Sequence, residues 1–138
     1  MPPQPYEGGI EHPQERYTLT FEPRGGYLFA SVRAPRIDRE IALGYLREAV
    51  DECRRLGFDR LLIYREIPET LPPITAFGVG EAFGRMSKGI RTAFVVEMHP
   101  RIHEELEFKT LVARNRGSLT LAFTAVEAAE AWLLGAGQ

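Results

Sequence analysis

Few residues in this 138-residue chain have types and spacings that could do chemistry. Glu66 and Glu69 stand close together in "REIPETLPPITAFGVGEAFG", residues 65–84. Paired carboxylates can hold a cation or perform acid–base catalysis. No nucleophile with an obvious base accompanies them, and loop carboxylates are usually solvated. His99, His103 and Glu107 follow one another at intervals that a helix would place on one face, as metal ligands require. Against a metal centre, Pro100 sets His99 at a helix cap, off the helical register. The segment "HEELE" also lacks the second histidine of an H-E-x-x-H motif. Cys53 sits on an apolar helical row, where a thiol behaves as a small buried hydrophobe and not as a nucleophile. Lys109, Arg114 and Arg116 form a modest basic cluster without interleaved aromatics, the pattern of a solvated face and not of a nucleic-acid groove. The expectation is a non-enzymatic protein with no cofactor and no metal.

The same stretch carries Pro72 and Pro73, then Gly78, Gly80 and Gly84. The prolines stiffen the approach to a helix, and each glycine lowers helix propensity by about 1 kcal/mol relative to alanine. Two roles suit the glycines: close packing of the helix, or a helix that moves as a lid over a ligand. A dinucleotide loop is excluded by the Gly78, Gly80, Gly84 spacing and by the lack of a strand immediately before it.

The elements that must position these residues follow from periodicity. Residues 1–16, with Pro2, Pro3, Pro5 and Pro13, show no period and read as a tail or strap, leaving one domain over 17–138. "YTLTF" (17–21) and "YLFASV" (27–32) flank "EPRGG" and read as a hairpin. A helix follows, capped by Asp38 and stopped by Gly57, with Ile41, Tyr45, Ala49 and Cys53 in one row. "RLLIY" (60–64) and "TAFVV" (92–96) are continuous apolar runs, as central strands require. A helix with Pro100 in its first turn ends before Gly117, "LTLAF" (119–123) is a strand, and a Thr124-x-x-Glu127 capping box opens the last helix. This alternation predicts an α/β fold with right-handed crossovers: a mixed, mostly parallel five-stranded sheet, an N-terminal β-hairpin and about four helices.

Composition narrows the function classes. A net charge of −2 gives no nucleic-acid footprint. No apolar run approaches the roughly 20 residues of a membrane span, so none is expected. The lone cysteine suits a reducing cytoplasm, and "MPPQPYEGGI" lacks the basic and apolar segments of a secretion signal.

The order of elements, and "FKTLVARNRGSLTLAFTAVEAAEAWL" (108–133) above all, resembles the SpoIIAA-like or STAS fold, most closely the STAS/SEC14 domain-containing branch. The residues that carry the resemblance are Ala113, Asn115, Arg116, Gly117, Phe123, Thr124, Ala129, Trp132 and Leu133. It extends by architecture over roughly residues 17–134. In anti-sigma-factor antagonists of this fold, a Ser-Ser-Gly at a helix start carries a phosphorylated serine. With that glycine placed on Gly78, this chain offers Ala76 and Phe77, and the nearest hydroxyl is Thr75.

Ligands of open α/β sheets gather at the carboxyl ends of the strands. The topology brings residues 65–80 to that edge together with Glu97, His99, Arg101 and His103. The reading is therefore a cytoplasmic binding module that engages a protein partner or a small apolar, lipid-like ligand through Glu66, Ile67, Glu69, Leu71, Ile74, Phe77, Gly78 and Arg101. Ile67, Leu71, Ile74 and Phe77 are taken as its exposed apolar contacts. The alternatives are a phosphorylation switch at Thr75 and, less favoured, a metal-dependent enzyme using His99 and His103. A homodimer through edge strands is compatible with the pattern.

Overall fold

The computed structural model describes residues 16–97 and 100–135, and the backbone of residues 9–12. One six-stranded sheet forms the centre, with strands in chain order: β1 (Gly9–His12), β2 (Tyr17–Arg24), β3 (Tyr27–Arg33), β4 (Arg60–Glu66), β5 (Arg91–Val95) and β6 (Thr120–Phe123). β1, β2 and β3 pair antiparallel, and β3 to β6 are parallel. The α/β class and the mixed sheet are as the alternation predicts. The strand count is one higher, because residues 9–12, read as aperiodic tail, pair along β2. A four-residue edge strand with a glycine at its start leaves too short an alternation to detect.

Strands laid down in sequence order send every right-handed crossover over the same face. Helices α1 (Arg39–Arg55), α2 (Pro73–Met86) and α3 (Pro100–Asn115) accordingly share one core with Leu19, Leu28, Ala30, Val32, Leu61, Ile63 and Phe94 of the sheet. The last helix, α4 (Val126–Leu134), crosses to the other face, where Ala129 and Leu133 pack on Tyr27, Leu62, Ala93 and Val95. It does not reach β2, whose residue Thr20 on that face is exposed. There Phe29 stacks on Tyr64 with ring centres 6.0 Å apart, and the Arg24 guanidinium lies 3.8 Å over the Phe29 ring.

Local signals account for most element ends. Asp38 Oδ1 accepts from the Ile41 backbone N–H at 2.8 Å, and this bond, ahead of Arg16, lowers the Asp38 pKa. Gly57 and Gly117 take φ of +82° and +95° after α1 and α3, conformations that cost other residues strain. The apolar row of α1 is buried as expected, and burial pushes the Cys53 thiol up to about 11, an inert thiol at neutral pH. The capping box of α4 does not form: Ala125 is the N-cap, and no side chain caps it. Thr124 lies one residue too early, in the bend after β6.

The glycines of α2 divide by role. A Cβ on Gly80 would lie 2.8 Å from the Lys109 carbonyl oxygen, and one on Gly84 would lie 2.8 Å from Arg116 Cβ and 3.1 Å from the Ala113 carbonyl oxygen. These two let α2 and α3 approach backbone to backbone, whereas a Cβ on Gly78 would meet nothing within 4 Å. Close packing, and not mobility, explains the pair one turn apart. Gly80→Ala should therefore lower stability by roughly 1–2 kcal/mol in urea unfolding even though alanine is the better helix former. Gly78→Ala should raise it by roughly 0.5–1 kcal/mol. Equal gains at both positions would show that α2 is not clamped to α3.

Candidate functional site

β4 ends at the carboxyl edge in Arg65 and Glu66, whose side chains diverge because neighbouring strand residues point to opposite faces. Glu66 pairs with Arg33 on β3, Nε to Oε1 at 3.5 Å. Arg65, on the same face as Leu61 and Ile63, enters the core and has no exposed surface. Its Nη1 donates to Glu105 Oε1 at 3.2 Å, and its Nη2 donates to the carbonyl of Glu69. Glu105 Oε2 in turn accepts from the backbone N–H of Leu71 at 2.9 Å. One carboxylate of α3 thus fastens the loop that leaves β4. The Glu69 side chain turns the other way, accepting from the Ile37 N–H at 2.9 Å and pairing with Arg36.

Glu66 and Glu69 therefore do not form a carboxylate pair. Each faces a different arginine across a different seam. Ile67 and Leu71, taken from the sequence as exposed contacts, are 0% and 5% exposed. The hydrogen bonds around Arg65 pull their loop inward, which turns both side chains into the core shared with α1 and α2. Ile74 and Phe77, at 87% and 42%, are exposed as expected. Phe108 and Leu111 on α3 are exposed too, although the sequence reading passed over them.

Between the β4–α2 loop and the start of α3 lies an open cleft of about 870 Å3, lined by residues that include Pro68, Glu69, Thr70, Arg101 and Glu104. A second hollow of about 450 Å3 shares Thr70, Arg101 and Glu104 and continues past Leu71, Pro73 and Ala76 to Phe108. Of the residues named from sequence, Glu69, Leu71 and Arg101 line this groove. Ile74, Phe77 and Gly78 lie on the adjoining turns of α2, and Glu66 faces away toward β3. Glu105, at the floor of the second hollow, has its side chain only 8% exposed.

Beneath the groove lies an arrangement that composition could not reveal. Lys109, expected in a solvated basic cluster, is buried and places Nζ 3.3 Å from Glu105 Oε1. It belongs to the inward row of α3 with Ile102, Leu106 and Ala113. Burial, then the charge of Arg65, pull the Lys109 pKa down to about 8, while Glu105 opposes the shift. Tyr45 of α1 completes the cluster, its phenol pKa raised by burial against the opposing influence of the neighbouring Arg65 guanidinium. The sequence held a usable signal: Arg65 continues the Leu61, Ile63 alternation, and Glu105 and Lys109 are one helical turn apart.

Other sites considered from sequence do not converge. His103 Nε2 lies 3.2 Å from Glu107 Oε2, and His99 lies outside the described residues. Among the described residues no three His, Cys, Asp or Glu side chains gather as metal ligands. Glu97 accepts from the Tyr64 hydroxyl at 2.7 Å, a bond that leads in pushing the Tyr64 pKa up to about 12. Thr75 stands half-buried in the first turn of α2, whose N-cap, Pro72, supplies no side-chain bond. Among the described residues no helix is long and apolar enough to cross a membrane. No protein-family model matches the chain, and no curated protein shows significant similarity to it.

The buried lysine has a measurable consequence. With a folded pKa near 8 against the ordinary 10.5, Lys109 binds fewer protons in the folded than in the unfolded chain between those values. Stability then rises with pH through that window, and the cost of burying the charge is present in full below it. In sulfate buffer, Lys109→Met should be more stable than the parent at pH 7 by on the order of 1–3 kcal/mol, with the gap narrowing toward pH 10. Denaturant titrations at both pH values check this; a gap that is constant with pH would mean Lys109 is not held in a charge-averse setting.

Proposed function

We propose that this chain is a non-enzymatic binding module of the STAS/SpoIIAA-like type, and that its groove at the carboxyl edge takes a protein segment or a small apolar, lipid-like ligand. The observation that carries the reading is the groove itself. It is in the size range of ligand sites, sits outside the carboxyl ends of parallel strands, and joins apolar surface to a few charges. Ile74, Phe77 and Phe108 supply apolar contact beside it, while Arg101 and Glu104, common to both hollows, supply orientation. The loop wall is rigid because Glu105 and Arg65 hold it, so little ordering cost accompanies binding. A lone buried thiol, Cys53, suits action in a reducing cytoplasm.

Native mass spectrometry of protein taken directly from cells should show a retained mass, and Phe108→Asp or Phe77→Glu should abolish retention with the fold intact by circular dichroism. Retention unchanged in both variants would move the binding surface elsewhere.

A second reading has one supporting observation. Thr75 lies in the first turn of a helix with no side-chain cap, where a phosphate would meet free backbone N–H groups and the positive end of the helix dipole. Phosphopeptide mapping of protein from cells should then find phosphate on Thr75. An unmodified Thr75 under every growth condition that alters partner retention removes the switch.

A further inference from the structure

Four of the seven large apolar side chains exposed among the described residues lie on the outer face of α2 and α3: Ile74, Phe77, Phe108 and Leu111. The close approach of the two helices gathers them. Gly80 stands against Lys109 and Val112, and Gly84 against Ala113 and Arg116, so the turn that carries Phe77 is level with the turn that carries Phe108. On α3 the exposed residues Glu104, Phe108, Leu111 and Asn115 recur at intervals of four, three and four. That is the stripe by which one helix packs along another.

Charge on this face is segregated along the helices. In the first half of α3 the exposed charges are Arg101, Glu104 and Glu107. In the second half they are Arg114 and Arg116, joined by Arg85 from the last turn of α2. Glu81 pairs with Arg116 and leaves that end positive. The order is therefore acidic, apolar, basic, which makes the face complementary to itself when turned end for end. Glu107 and Arg114 are two helical turns apart and so share one flank of α3. A two-fold axis midway between them, beside Leu111, lays each against the other residue of a second copy. The opposite orientation would set like charges together. Neither rim of the sheet offers as much: β1 has four residues, and on β6 the Thr120 carbonyl already accepts from Arg114 Nη1 at 2.9 Å.

We propose that the occupant of this surface is a second copy of the chain, docked antiparallel through α2 and α3. The inference rests on the reading of Ile74, Phe77 and Phe108 as a binding surface, and it names the partner. Because the same patch serves both copies, the contact closes at two chains. The apolar residues form its dry centre, and the charges at the ends fix its direction. The two grooves then lie at opposite ends of the interface.

Sedimentation velocity over a concentration series should give a particle of twice the 15.6 kDa of one chain, and the mass retained in native spectra should be that of the chain itself. Phe108→Asp should raise the dimer Kd by roughly 30-fold or more. Glu107→Arg and Arg114→Glu should each weaken the dimer, and the double variant should recover most of the loss, all with the circular dichroism of the parent. A wild-type chain that stays monomeric at its highest soluble concentration overturns the dimer. If such a monomer still retains another mass that Phe108→Asp removes, the binding surface stands with a different occupant. A dimer indifferent to Phe108→Asp, or one that the double charge reversal weakens further, overturns the antiparallel docking.

Discussion

The attachment of Arg65 to Glu105 holds together parts of the chain that are otherwise only neighbours. Arg65 ends the central strand, Glu105 lies on α3, and their hydrogen bonds also capture the Glu69 carbonyl and the Leu71 N–H of the loop between them. Strand, loop and helix are thereby fixed by a single carboxylate. Such a pair adds little net stability over a well-packed apolar core, but losing one partner strands the other in the interior at a cost of roughly 3–5 kcal/mol. Its value lies in geometry: without it the loop from Glu66 to Leu71 has no reason to turn inward, and the groove would have no wall.

Strand order decides where that wall can stand. Because the strands follow one another in space as they do in sequence, α1, α2 and α3 crowd one face and α4 alone serves the other. Crowding brings α2 against α3 closely enough that Gly80 and Gly84 are required at the contact. It also sets the start of α3 beside the loop after β4, which creates the groove. On the sparsely covered face, the stacked Phe29 and Tyr64, with Arg24 over Phe29, shield part of the sheet that α4 does not reach.

Much of this was legible in the sequence. The hairpin, the helix opened by Asp38, the two apolar strands and the Gly117 stop all follow from period and cap chemistry. The carboxyl edge was also found from topology, and Arg101 and Glu69 do meet there. What escaped was burial of polar groups. Lys109 reads as a solvated charge because its burial depends on Glu105 being turned inward with it, and Glu105 is held there by Arg65, a partner 40 residues away that no local pattern announces. Ile67 and Leu71 were misjudged for the same reason, since an apolar residue in a proline-rich loop faces in or out according to where its backbone bonds go. Thr124 failed as a cap because the chain spends one further residue bending out of β6.

The short first strand has a different bearing. β1 occupies one hydrogen-bonding side of β2, an eight-residue strand whose other side is taken by β3. Remove the four residues from Gly9 to His12 and β2 becomes the rim of the sheet, with the N–H and C=O groups of its Tyr17–Thr20 half newly open. Long unguarded rims recruit strands from other molecules. A four-residue rim offers a shorter template to other chains than the eight residues of β2 would, and short rims are how sheets resist further growth.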